Sequence, residues 1–159
     1  MKPPLRILIA AMDHNHVIGA GDRMPWHVPE EYEHYRSLIA SNTVIMGRTS
    51  FEIFGADLTS DHTIVMSRSM PAAEGHVVAS SLSEALALAD KFGKTIFIAG
   101  GASIYEQALP LADEMLLSEI KGSFEGDAFF PQFDRKQWRV EAEIDYPRFI
   151  FRRWVKSNT

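Results

Sequence analysis

The chain has 159 residues, a formal net charge of −5 and no cysteine. That length fits one domain with a sizeable core, and the missing cysteines exclude disulfide and thiolate chemistry. The acidic balance argues against a nucleic-acid or acidic-membrane surface, and no stretch approaches the roughly 20 apolar residues needed to cross a bilayer, so a soluble, cytoplasmic protein is expected.

Residues 5–12 form a short apolar run behind Pro3 and Pro4 and read as a buried strand. No suitable cleavage region follows, so the run is not a signal peptide. His14 and His16 come next. Two histidines in a strand-to-loop segment without a third partner predict no metal site.

The segment from Val17 to Tyr35 carries the most information. A glycine-hinged loop bearing Met24 and Trp26 runs into a helix expected over 29–40. Pro29 suits the first helical position, where its missing N–H has no intrahelical partner to lose. Glu30 and Glu31 then fall where the helix dipole favours anions. Tyr32, Tyr35 and Ile39 are spaced i, i+3, i+7, so Glu31 lies beside or within an inward stripe while Glu30 and Glu33 point elsewhere. A first-turn acid by itself only complements the dipole. A loop able to close over an acid beside aromatics points to a catalytic site.

Three strand-to-turn junctions follow. Strand 43–46 leads into Gly47-Arg48-Thr49-Ser50 and a helix over 49–54, where glycine permits close backbone approach beside a guanidinium and hydroxyls. Strand 62–67 ends in Ser67-Arg68-Ser69, a weaker anion signal. After strand 77–79 and an ordinary helix over 82–91, strand 95–99 enters Gly100-Gly101-Ala102-Ser103-Ile104-Tyr105 and a helix over 102–108. None of these is the G-x-G-x-x-G fingerprint, so a standard dinucleotide fold is not expected. Singly each is an ordinary turn that needs glycine; together they point to an extended, multiply phosphorylated cofactor.

Strand 115–120 precedes a loop over 122–127 and an aromatic cluster, Phe124, Phe129, Phe130 and Phe133, read as a core or loop anchor. Segments 138–146 and 149–156 flank Tyr146-Pro147-Arg148 and read as an antiparallel hairpin at the sheet edge. Strands alternating with helices predict an α/β fold with a mostly parallel sheet.

The order Ile18-Gly19, Met24-Pro25-Trp26, Pro29-x-Glu31, Val44 to Glu52, Ser67-Arg68, Gly100-Gly101 with Ile104-Tyr105, and Glu125-Gly126-Asp127 resembles the dihydrofolate reductase family over nearly the whole chain. The resemblance implies a three-layer fold: a mostly parallel central sheet with an antiparallel C-terminal hairpin and flanking helices. It implies hydride transfer from NADPH to C6 of a 7,8-dihydropterin by a monomer, with antifolates as inhibitors. By the same resemblance Glu31 holds the pterin 2-amino group and N3 and supports protonation at N5. Ser118 bonds near that carboxylate, Trp26 orders water beside it, and Met24 rides the closing loop. Tyr32, Tyr35, Phe54 and Leu58 would wall the pterin and its benzoyl extension, and Ala11, Ile18, Ala99 and Tyr105 the nicotinamide side. Gly19, Gly47, Arg48, Thr49, Ser50, Ser67, Arg68, Ala102, Ser103 and Ile104 would hold the rest of the cofactor, Arg68 favouring its 2′-phosphate. Gly100-Gly101 resembles the family's cis peptide.

One position departs from the pattern. Asp61 stands where the family has an arginine for the α-carboxylate of the glutamate tail, and residues 55–62 contain no arginine. His62 or Arg36 would then substitute, or the substrate is a dihydropterin without that glutamate, such as dihydromethanopterin. A riboflavin-pathway reductase shares the implied fold without needing the Met24 to Glu31 constellation, and a noncatalytic binding module needs no such acid.

Overall fold

The computed structural model of the protein describes residues 3–20, 23–69, 71 and 76–157. In chain order the first half comprises β1 (Arg6–Met12), β2 (Val17–Gly19), α1 (Pro29–Ile39), β3 (Thr43–Gly47), α2 (Arg48–Phe54), β4 (His62–Met66) and β5 (Val77–Ala79). The second half adds α3 (Leu82–Asp90), β6 (Ile96–Ile98), α4 (Ala102–Ala108), β7 (Glu114–Ile120), β8 (Ala128–Phe129), β9 (Trp138–Asp145) and β10 (Phe149–Lys156).

Eight strands form one sheet in the order β5-β4-β3-β6-β1-β7-β10-β9. Pairing is parallel from β5 to β7 and antiparallel through β10 to β9, so the expected hairpin adds the last two strands. The sequence shows why. β3 is Thr-Val-Ile-Met-Gly, buried over its first four residues, as a strand covered on both faces must be. β9 has one sheet neighbour, β10, and beyond Trp138 it is exposed throughout.

Alternation along β1 divides the core. Ile7 and Ile9 join Ile39 of α1 on one face, while Leu8, Ala10 and Met12 join the Leu82 and Leu86 side of α3 and the Ile104 side of α4 on the other. Helices on both faces of the sheet make the three layers. β1 lies between β6 and β7, with the chain turning first toward β3, β4 and β5 and later back toward β7. At such a reversal the strand ends leave a crevice for ligands.

Helix and strand bounds differ from the sequence reading by a residue or two; α2, for example, begins at Arg48. The small sheet of β2 and β8 was not anticipated, because three and two residues are too few to show a period. It ties the lid's first strand to the loop over 122–127. Asp127 donates its backbone N–H to the Gly19 carbonyl at 3.0 Å, and a Cβ on Gly126 would run into that same oxygen, so only glycine fits there. Gly21 and Asp22 of the lid lie outside the described residues. Phe130 is buried against Tyr105 and Phe133, as a core anchor, while Phe124 leaves that cluster to pack on Trp26. His14 meets the Ser123 hydroxyl, and His16 Nδ1 faces the Phe130 carbonyl. No described helix is long and apolar enough to cross a membrane.

Candidate active site

Glu31 sits in the first turn of α1, where Pro29 starts the helix, and is only 7% exposed. It lines a cavity with Tyr32 and Tyr35 of the same helix, Met24 of the lid, Phe54 at the end of α2 and Ser118 of β7. Desolvation pushes the Glu31 carboxyl up to about 7, and the hydrogen bond from Ser118 opposes that rise. Of the pressures on this acid, burial therefore outweighs its position at the helix start. Tyr35 is also raised by burial, and Tyr32 is pushed up to about 12 by burial and by Asp57, so both phenols stay neutral.

The adjoining cleft has a free volume of about 400 Å³ and shares Ala11, Met24, Phe54, Ala99 and Tyr105 with the acid cavity. Ile18, Gly19, Gly47, Arg48, Thr49, Ser50, Gly100, Gly101, Ala102, Ser103 and Ile104, all of the predicted set, also line its walls. Two of the three turns are joined directly. The Gly47 N–H donates to the Gly100 carbonyl at 2.8 Å, and the Gly100–Gly101 peptide is cis. Gly100 has φ of 111°, and a Cβ there would stand 3.1 Å from Ser50 Oγ. The third turn is reached by Arg48, which pairs with Glu52 at 2.9 Å and donates to Ser69 Oγ at 3.3 Å. Ser67 holds the Ser69 N–H, and Arg68 is exposed beside it; neither lines the cleft in this structure.

Tyr105 is buried, and its hydroxyl donates to the Ile9 carbonyl at 2.7 Å, which fixes the ring between cleft and core. Trp26 packs edge-on to Phe124 at 5.3 Å and lines a neighbouring groove with Glu31. Leu58 packs against the smaller core cluster, as do the cavity residues Tyr35, Ala99 and Phe151.

The outer rim of the cavity is polar. Tyr32 donates to the Asp57 carboxylate at 3.1 Å, while Arg36 donates to the Asp57 carbonyl at 2.8 Å and to Glu33 at 3.0 Å. Asp61 pairs with Lys94 at 2.6 Å, and that lysine holds the carboxyl below its ordinary range. His62 stacks on Phe92 at 3.7 Å. Both candidate substitutes for the missing arginine, Arg36 and His62, are thus engaged.

The structure also brings in residues that sequence reasoning passed over. His34 lies one turn beyond Glu31, a spacing that points to the same cavity. Phe151 enters from β10, opposite Ser118 in the ladder, and nothing local in the sequence announces it.

A buried acid at the head of one cavity, opening on a glycine- and arginine-lined cleft at the strand ends, defines a nucleotide-dependent oxidoreductase of the α/β class. Residues 6–148 match the dihydrofolate reductase family model. The chain is 39% identical over 153 residues to dihydrofolate reductase type A13 of Escherichia coli, covering 92% of this chain and 93% of the relative. It is 44% identical over 138 residues to the dihydrofolate reductase of Neisseria meningitidis serogroup A, covering 86% and 84%. It superposes on dihydrofolate reductase from Enterococcus faecalis complexed with NADP(H) and RAB-propyl with a TM-score of 0.85, at 29% identity and 97% coverage of each chain. The chain belongs to the dihydrofolate reductase family.

Proposed function

We propose that this enzyme transfers a hydride from NADPH to C6 of 7,8-dihydrofolate, protonating N5 to give tetrahydrofolate. One observation carries the reading: Glu31, a carboxyl group buried at the closed end of a cavity continuous with the phosphate-suited cleft. The cleft's residues fit the cofactor. Gly47 and Gly100 allow close backbone approach, Arg48 suits phosphates, and the small side chains of Ala11 and Ala99 leave room where the two spaces meet. When bound, NADPH supplies the hydride.

The chain's own residues do the rest. The N3–H and 2-amino groups of a dihydropterin donate to Glu31, and donors to the charged form return this acid toward the carboxylate. The Ser118 hydroxyl keeps that carboxylate oriented. Met24 and Trp26 cover the cavity from the lid, excluding bulk water while admitting the single water that carries a proton to N5. Tyr35 and Phe54 pack on the ring faces, and small antifolates would compete there. In this reading the chain works as a cytoplasmic monomer, and the single eight-stranded sheet supports its acting as one domain.

The rim favours a second reading for the substrate's far end. With Asp61 held by Lys94 and Arg36 held by Glu33 and Asp57, a dihydropterin lacking the glutamate tail meets no missing clamp. NADPH oxidation measured separately with dihydrofolate, dihydrobiopterin and dihydromethanopterin separates the readings, and no oxidation with any of them refutes the reductase. Asp61→Arg should lower KM for dihydrofolate alone; an unchanged KM means that the carboxylate clamp was not limiting.

A further inference from the structure

Among the described residues that line the cofactor cleft two are charged, Arg23 and Arg48, and none is acidic. Arg48 is compensated, since it pairs with Glu52 at 2.9 Å and also reaches Ser69. Arg23 is exposed and makes no ion pair or side-chain hydrogen bond among the described residues. An unpaired arginine is ordinary on an open surface, where water solvates it. On the wall of a cleft without acids, in a chain of net charge −5, it is a positive charge kept where an anion can enter.

The backbone fixes where that charge stands. Ala20 donates its N–H to the Arg23 carbonyl at 2.8 Å, and the Arg23 N–H returns to the Ala20 carbonyl at 3.3 Å. Ala20 follows β2, which pairs with β8, so the root of Arg23 is tied to the framework instead of swinging with a free loop. Arg23, Met24 and Phe54 line both this cleft and the groove that contains Glu31 and Trp26. Arg23 therefore marks the end of the cleft that adjoins the substrate, where a hydride donor has to lie, while Arg48 leads through Ser69 toward the other end. The acids of the groove are already committed: Glu31 meets Ser118, Glu33 takes Arg36, and Asp57 takes the Tyr32 hydroxyl.

We propose that Arg23 is a cofactor-binding residue carried by the lid: its guanidinium donates to the diphosphate of NADPH, at the phosphate beside the nicotinamide ribose, and not to the 2′-phosphate. This rests on the cofactor reading of the cleft. The planar fork of an arginine suits two oxygens of one phosphate. Because Met24 is the next residue, the contact fastens the lid to the cofactor at the place where the lid covers the Glu31 cavity.

Arg23→Gln removes the charge and keeps much of the side chain's length, whereas Arg23→Lys keeps the charge and loses the fork. In calorimetric titrations Arg23→Gln should raise the Kd for NADPH about tenfold, the scale of one charge-assisted hydrogen bond. The same factor is expected for NADH, which has the diphosphate and lacks the 2′-phosphate. Arg23→Lys should recover part of the loss, and in both variants the ligand-free Tm and the KM for dihydrofolate should match wild type. The wild-type Kd should rise more steeply with salt than that of Arg23→Gln. An unchanged Kd for both cofactors overturns the proposal. A loss confined to NADPH also overturns it, because the contact is then with the 2′-phosphate. So does a loss that appears equally in both variants with a lowered ligand-free Tm, since that is a backbone role. A wild type that binds NADPH yet oxidises it with no dihydropterin refutes the reductase reading while the Kd comparison still decides this one; a wild type that binds neither cofactor removes both.

Discussion

The closed end of the cavity and its rim treat the same chemical group in opposite ways. Glu31 and Glu30 are neighbours in the chain, yet burial pushes the first up to about 7 while hydrogen bonds from Arg148 hold the second below its ordinary range. Asp61 at the rim follows Glu30, lowered by Lys94. At the closed end a carboxylate loses its water before it finds a strong partner, and at the rim it keeps water and gains a cation as well. The difference teaches that reactivity here comes from withheld solvation. The ion pairs of the rim are solvated contacts that contribute little to stability or chemistry.

The largest expected effect lies at the closed end. Glu31→Gln should lower kcat near neutral pH by about 10²- to 10⁴-fold, the range for losing a group that supports proton transfer, measured by NADPH oxidation with dihydrofolate. An unchanged rate would make the closed end no more chemical than the rim.

The same variant tests burial without substrate. The folded pKa of Glu31 lies above the ordinary glutamate value of 4.5, so protonated Glu31 is tolerated at low pH and its ionisation is resisted as pH rises through 7. Stability associated with this group is therefore full below about pH 4.5 and lost as pH rises to and through about 7. Glu31→Gln should match wild type at pH 4 and exceed it by up to about 3 kcal/mol at pH 9 in denaturant titrations. Equal stability at both pH values would show that Glu31 is solvated like the rim acids.

Ser118→Ala sharpens the contrast by taking away the one hydrogen bond that lowers the Glu31 pKa. The acid limb of the kcat/KM profile should move to higher pH, with a loss of about tenfold at pH 7. The smallest effect belongs to the exposed acids. Glu30→Gln breaks the exposed pairing with Arg148 and should leave kcat unchanged, with Tm within measurement error of wild type. A large loss there would erase the distinction between the two regions.

Much of this was legible along the chain. Proline at the start of α1 and helical spacing turned Glu31 inward and Glu30 outward, and both orientations hold in the structure. Continuous apolar runs marked strands covered on both faces, and the glycine turns at Gly47 and Gly100 do face one cleft. Leu58, expected on the benzoyl wall, packs on the smaller core cluster beside Tyr35 and Phe151, and its side in the turn after α2 depends on core packing and not on periodicity. The β2–β8 pairing and the arrival of Phe151 opposite Ser118 escaped notice, since register between distant strands leaves no local mark.

The sequence by itself determined the periodic features: which strands are covered, where α1 begins, which of its acids faces inward, and which turns admit a close backbone approach. These follow from backbone geometry acting over a few residues. Only the tertiary structure decided how those groups behave. Opposing pressures on Glu31 were resolved by burial beneath residues from β7 and the lid, and Arg36 and His62 were committed to Asp57, Glu33 and Phe92. Desolvation and pairing depend on which distant segments arrive beside a group, and spacing along the chain does not carry that information.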